Sequence, residues 1–233
     1  MGNMGIVQAL VFEPRKAFAE IAERPRYWFP LLVFVIASTG ILVWYASIAD
    51  LGWATDRDLR HGILAGRLSE EQIAQQVQAA GNFRVVSIVI QGILIPIALF
   101  VFLLIAALYN FLVGKMVAFE RSFRQWFSFV CWAALPAALA AIPSALMLAT
   151  TETTQFGREA LKTLSLNALI FHRTIDEPGY AFYSSIDLFQ LAVLYLSLLG
   201  VKIWSGRSWL FSILFVGIPW VLIYGTWAWF SLR

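Results

Sequence analysis

An all-α integral membrane protein, a five-transmembrane-helix bundle with short interfacial helices, is the fold class that three features of this sequence predict. The first is composition. Of 233 residues, 60% are hydrophobic and 13% are charged, whereas a soluble domain carries about 25% charged residues. The mean hydropathy of +0.74 points the same way. The second is a set of long uncharged runs, since a helix needs about 20 apolar residues to cross the hydrocarbon core. The third is the wealth of amphipathic rings, 10 Trp and 7 Tyr, which collect at lipid–water boundaries.

The same composition excludes several functions. A net charge of +3 with no Lys/Arg-rich run argues against a nucleic-acid partner. A lone cysteine, Cys131, rules out an intramolecular disulfide and reads as a small buried apolar side chain. His61 and His172 lie far apart and make no zinc spacing with it. Neither a metal nor another cofactor is expected. An enzyme would need a nucleophile with a base, paired carboxylates or a metal set within reach, whereas the chain offers scattered serines, one thiol and two loop histidines, so enzymatic activity is not expected either. The first apolar run, residues 6–12, ends at Glu13-Pro14 with no cation before it, unlike a cleavable signal.

The spans follow in order. Residues 1–26 form an amphipathic head placed on the cytoplasmic side. Pro14 can open a helix, because its missing N–H costs nothing there. Phe18, Ile21 and Ala22 share one face, with Arg15, Lys16, Glu20, Glu23 and Arg24 opposite. Such a helix suits a membrane interface or a place under the bundle. Residues 27–233 are the membrane domain, with spans at about 27–49, 85–113, 125–151, 186–204 and 208–232. Tyr27-Trp28 and Trp44-Tyr45 anchor the first span. Ser69-Glu70-Glu71-Gln72 in the next connection is a capping-box pattern, predicting a short helix that stops near Gly81. The second span exceeds the bilayer, so tilt, a bend at Pro96 or protrusion is expected.

The third span, residues 125–151, reads as the packing hub. Ala133, Ala137, Ala141 and Ala145 recur every fourth position, with Pro136 and Pro143 among them. Small ridges let helices approach closely in lipid. In the following connection, residues 158–171 show helical periodicity. The fourth span is the shortest, with Asp187 at one end and Lys202 snorkelling at the other. Asp187 reads as a cap on free helix N–H groups, or as a functional carboxylate near membrane depth. Gln91, Asn110 and Gln190 are the other polar candidates in the spans, for interhelical hydrogen bonds or substrate contact.

Lys and Arg near span ends set orientation. Placing the head inside gathers Arg15, Lys16, Arg24, Arg26, Lys115, Arg121, Arg124, Lys202 and Arg207 in short segments, which predicts N-in/C-out. Arg15, Lys16, Arg24, Lys115, Arg121 and Arg124 are the candidates for a lipid interface, because anionic headgroups attract cations at the surface.

These features occur in a familiar order. The head EPRKAFAEIAERPRYWFPLL carries Pro14, Phe18, Pro25 and Pro30. The approach to the third span has Ser122, Phe123, Arg124 and Gln125, then Leu135 and Pro136. The fourth span, IDLFQLAVLYLSLLGVKI, has Asp187, Phe189 and Gly200. From about residue 8 to 230 the chain resembles the YIP (Ypt-interacting protein) membrane family, and especially its short bacterial members. The resemblance implies a five-helix bundle with a cytoplasmic N-terminus, in the bacterial cytoplasmic (inner) membrane. Eukaryotic members act in membrane traffic through Rab-type GTPases and a longer N-terminal region, and that role is not carried over here. No functional residue is transferred.

The expected function is therefore a non-enzymatic, membrane-organising, lipid-interacting or scaffold protein. The alternative is a carrier, channel or lipid-moving protein with a cavity between helices broken at Pro96, Pro136, Pro143 and Pro219. Expected partners are membrane lipids, with a second copy of the chain or another membrane protein as further candidates.

Overall fold

The computed structural model describes residues 1–62 and 65–232. The described residues form twelve α-helices and no strand. They are α1 (Asn3–Phe12), α2 (Pro14–Glu23), α3 (Trp28–Ile48), α4 (Leu51–His61), α5 (Glu70–Asn82), α6 (Arg84–Met116), α7 (Phe123–Ala133), α8 (Leu135–Ala138), α9 (Ala141–Thr150), α10 (Tyr180–Ser185), α11 (Leu188–Ser205) and α12 (Trp209–Ser231). Five stretches are long and apolar enough to cross a membrane: α3, α6, residues 123–150, α11 and α12. α6 and α12 carry exposed apolar side chains along their whole length, from Val85 to Leu112 and from Trp209 to Phe230. Apolar surface on that scale suits contact with lipid or with other membrane-embedded helices.

Backbone proximity divides the chain into two compact units, residues 1–36, 97–138 and 189–226 in one and the remainder in the other. The head, residues 1–26, falls within the first of these units. In the first unit, α1 and α2 form a helical hairpin that buries Ile6, Ala9, Leu10, Ala17, Phe18 and Ile21. Pro14 opens α2 at its first turn. A shallow groove of about 370 Å³ between the two helices is lined by Met1, Gly5, Gln8, Phe12, Glu13 and Lys16, among others.

Four side-chain hydrogen bonds tie the head to the bundle helices of its unit. Trp204 Nε1 donates to the Phe18 carbonyl at 2.7 Å, and Gln125 Nε2 to the Ala22 carbonyl at 2.7 Å. The Arg26 carbonyl accepts from Trp132 Nε1 at 2.7 Å and from Ser128 Oγ at 3.0 Å. The Ala22 carbonyl lies in the last turn of α2 and the Arg26 carbonyl on a segment without helix, where intrahelical donors run out. The Phe18 carbonyl, inside α2, takes the indole N–H in addition. The family-like Ser122-Phe-Arg-Gln125 segment thus has a physical role. Ser122 and Gln125 close a reciprocal capping box at the start of α7, and Gln125 also reaches the head.

Around these bonds sits an aromatic core of Phe18, Trp126, Phe129, Trp204 and Phe215, with ring centroids 5.0–5.7 Å apart. Gly200 makes the core possible. A Cβ there would lie 2.6 Å and 2.7 Å from two ring atoms of Phe18, and closer still to Phe129.

The second unit contains an α4–α5 hairpin that the sequence reading only half anticipated. Ser69 and Gln72 make the expected capping box, but α5 runs through Gly81 to Asn82. α4 was unforeseen. It starts on Asp50, whose side chain accepts from the Trp53 N–H at 3.0 Å, and its apolar face is only Leu51, Ala54 and Leu59. Arg60 joins the two helices, donating to Asp56 and twice to Glu70. The expected helix over residues 158–171 is instead a 3-10 turn, Arg158–Leu161, and a π turn, Asn167–Phe171. Other partners take the backbone between them. Leu166 N–H donates to the Ile186 carbonyl at 2.8 Å, Leu188 N–H to the Leu164 carbonyl at 3.2 Å, and Ser144 Oγ lies 2.8 Å from the Leu161 carbonyl.

Arg57 and Glu159 form an ion pair that joins α4 to the 3-10 turn, both side chains about three-quarters shielded. Glu159→Ala is expected to lower stability by about 1–2 kcal/mol, between an exposed pair and a buried one. Thermal unfolding in detergent checks this, and Arg57→Met added to it should recover part of the loss.

Candidate membrane-lipid interface

The third span is not one straight helix. α7 ends at Ala133, where Pro136 cannot donate a backbone N–H, and the chain turns again between α8 and α9. Tight i→i+3 bonds bridge both places: Ala137 N–H to Ala134 at 3.0 Å and Ile142 N–H to Leu139 at 3.0 Å. The alanine ridge is split accordingly. Ala133 is buried, whereas Ala137, Ala141 and Ala145 are half-buried, as are Pro136 and Pro143. The buried side chains are instead Ala134, Ala138, Ser144 and Leu148.

The polar span residues are not gathered into one site. Gln91 Nε2 donates to Ser87 Oγ at 3.2 Å and Asn110 Nδ2 to the Ala106 carbonyl at 2.9 Å, each within α6. Asp187 is buried just before α11 and stands 3.5 Å from the Lys162 ammonium. Gln190 hydrogen-bonds the Tyr224 hydroxyl. Gln91 and Asp187 belong to one packing unit, Asn110 and Gln190 to the other. Tyr180, beside Arg57 and Glu159, has a phenol pushed up to about 12, first by burial and then by the Glu159 charge. It stays protonated at neutral pH and is a poor proton carrier. Among the described residues, no group of three His, Cys, Asp or Glu could hold a metal.

The cations divide more sharply. The unit that includes the head has nine Lys and Arg against four acids, a surplus of five; the other has eight against ten. In the second unit Arg57, Arg60 and Lys162 meet carboxylates. In the first, Lys16 pairs with Glu13 at 3.3 Å. Among the described residues, Arg15, Arg24, Lys115, Arg121, Arg124, Lys202 and Arg207 have no acid within ion-pair distance. Arg15, Lys16, Arg24, Lys115 and Arg124 are exposed, while Arg121 is half-buried. Lys115 lies over the Phe111 ring at 4.4 Å, Arg121 over Trp204 at 5.4 Å and Arg207 over Phe211 at 4.6 Å. Each stem or plane thus lies on an aromatic face that sits among apolar side chains.

Sequence reasoning counted Lys202 and Arg207 for orientation but did not place them with Arg121. The link to Arg121 comes from tertiary folding, while Lys202, in the last turn of α11, and Arg207, in the turn after it, are five residues apart in sequence. Exposed apolar residues accompany the cations: Val11 and Phe12 protrude at the tip of the α1–α2 hairpin, 70% and 82% exposed, next to Arg15 and Lys16. Cations flanking protruding apolar groups can bind a bilayer surface by charge and by apolar insertion together.

Comparison with curated proteins and with solved structures gave no match. The profile of the Yip1 domain matches residues 8–230. That interval takes in the head from residue 8 onward, the five candidate spans to within one residue of the last one's end and both basic turns, and the chain is an integral membrane protein that belongs to the Yip1 domain family.

Proposed function

We propose that this protein is a non-enzymatic organiser of its own membrane, which holds anionic lipid on the face formed by the head and the short basic turns. The observation that carries the reading is the surplus of cations without acidic partners in the unit that includes the head. Each such cation near an anionic surface contributes about 1 kcal/mol of attraction. The short turns between α6 and α7 and between α11 and α12 hold Arg121 and Arg207, with Lys115 and Arg124 flanking the first and Lys202, in the last turn of α11, flanking the second. Cations in short connections lie on the cytoplasmic side, so the orientation is N-in/C-out. The membrane is the bacterial cytoplasmic (inner) membrane, as the resemblance to short bacterial members implies. A second copy of the chain or another membrane protein is a further partner for the protruding hairpin tip.

Lipid retained through purification tests this. R15Q/K16Q/R24Q is expected to retain at most about half of the anionic phospholipid of the wild type, because three surface charges are lost. Unchanged retention of anionic lipid would overturn the reading.

The interrupted third span supports a second reading, as a carrier or lipid-moving protein. Non-helical backbone at depth is tolerated where it faces protein or a water-filled cavity. Reconstituted vesicles that show no flux of lipids or small ions above empty vesicles would remove it.

A further inference from the structure

We infer that the two short basic turns form a clasp for one phosphate group, with Arg121, Arg207 and Lys202 as its donors and an anionic phospholipid headgroup as its ligand. The inference rests on the reading that this face meets anionic lipid, and adds a discrete site to it.

The turns are locked to each other reciprocally. Arg207 Nη2 donates to the Ala118 carbonyl at 3.2 Å, and Arg121 Nη2 donates to the Trp204 carbonyl at 3.3 Å. Each accepting carbonyl lies three residues before the other arginine. The two guanidinium groups therefore reach across the same gap in opposite directions. Lys202 joins them by donating to the Arg207 carbonyl. Gly206, with φ +66°, supplies the left-handed step that turns the chain from α11 toward Arg207.

These bonds gather three cations on two turns tied to each other, positive charge that a bound anion would offset, and among the described residues no carboxylate is within ion-pair distance of any. Each guanidinium has five N–H donors and spends one on the clasp. Arg121 Nε is also buried without a hydrogen-bond partner. A buried charged donor left unsatisfied is costly, and normally marks an ion or water bound there. Phosphate suits the donors: guanidinium forks pair bidentately with its oxygens, and an ammonium adds a point charge. The rings of Trp204 and Phe211 support the guanidinium faces, and the edges remain for the ligand.

Native mass spectrometry of the full chain in detergent, titrated with phosphatidylglycerol, phosphatidylcholine or glycerol phosphate, tests the site. Wild type is expected to retain one phosphatidylglycerol about five-fold more than phosphatidylcholine. R121Q/R207Q keeps an amide donor for each carbonyl but loses both charges, and should lower that retention about ten-fold. R207K, which keeps the charge and loses the planar fork, should lower it about three-fold without altering the melting temperature, and so carries the test if the double variant unfolds. Wild-type retention in R121Q/R207Q or R207K would overturn the clasp. If R15Q/K16Q/R24Q then still loses lipid, the wider reading survives. No preference for phosphatidylglycerol in the wild type would overturn both. Displacement of the lipid by glycerol phosphate at equal concentration would assign the site to a free phosphate and overturn the headgroup as its ligand.

Discussion

Replacing Gly200 by Leu is expected to release the N-terminal head from the helices it packs on. Gly200 is buried in α11, and Phe18 from α2 and Phe129 from α7 converge on it. Any side chain there must displace two rings that are themselves fully buried. Overpacking a well-filled core costs about 1–3 kcal/mol. The upper end or more is expected here, since the head also loses the bond from Trp204 to the Phe18 carbonyl when α2 moves away. Limited proteolysis should cleave near Arg24 and Arg26 faster in G200L than in wild type. Phe18→Ala alone should cost about 3–5 kcal/mol, as for other buried phenylalanines. The double variant should lose less than the sum of the two, because the first change empties space that the second fills. Simple additivity would mean that Gly200 and Phe18 do not share a contact.

Trp132→Ala should be nearly as damaging. The indole is fully buried, packs against Phe29 at 5.9 Å, and donates to the Arg26 carbonyl. Truncation removes that area and leaves the carbonyl with Ser128 alone, for a loss of about 3–5 kcal/mol. Trp132→Phe separates the two effects. It keeps most of the apolar volume and loses the N–H, so about 1 kcal/mol is expected. Thermal unfolding in detergent measures both. A Phe variant as unstable as the Ala variant would show that the hydrogen bond, rather than the ring, dominates at this position.

The spans were legible in the sequence because a missing charge over some twenty residues leaves few alternatives. Their ends moved by only a few residues: the second span begins at Arg84 and runs to Met116. What could not be read was set by contacts distant in sequence. The i, i+4 alanines suggested one continuous ridge. The buried positions Ala138 and Ser144 are six apart, which changes the phase of the helix across the break. Residues 158–171 had the right periodicity, but the backbone of residues 164–166 is claimed by 186–188. α4 was hidden because charge crowds its second half, at Asp56, Arg57, Asp58 and Arg60, and its apolar face is three residues wide.

The candidate site was half legible for a similar reason. Exposed cations of the head and of the α6–α7 turn stand close in sequence and invite a lipid reading on charge alone. The pairing of Arg121 with Lys202 and Arg207 spans more than 80 residues and depends on the docking of two turns. The head was read both as an interfacial helix and as a helix under the bundle. Its buried face, with Phe18 and Ile21 fully covered, packs into the core. Its tip at Val11 and Phe12 stays free to meet a surface.

Fluorescence quenching by brominated lipids tests most directly the claim that this face selects anionic lipid. The protein's ten tryptophans supply the signal, and Trp204 lies beneath Arg121. In reconstituted membranes that mix brominated and unbrominated lipids, brominated phosphatidylglycerol should quench more than brominated phosphatidylcholine. The excess should shrink as salt is raised from 0.1 M to 1 M, where the screening length falls from about 10 Å to about 3 Å. Equal quenching by the two lipids at low salt would contradict the account.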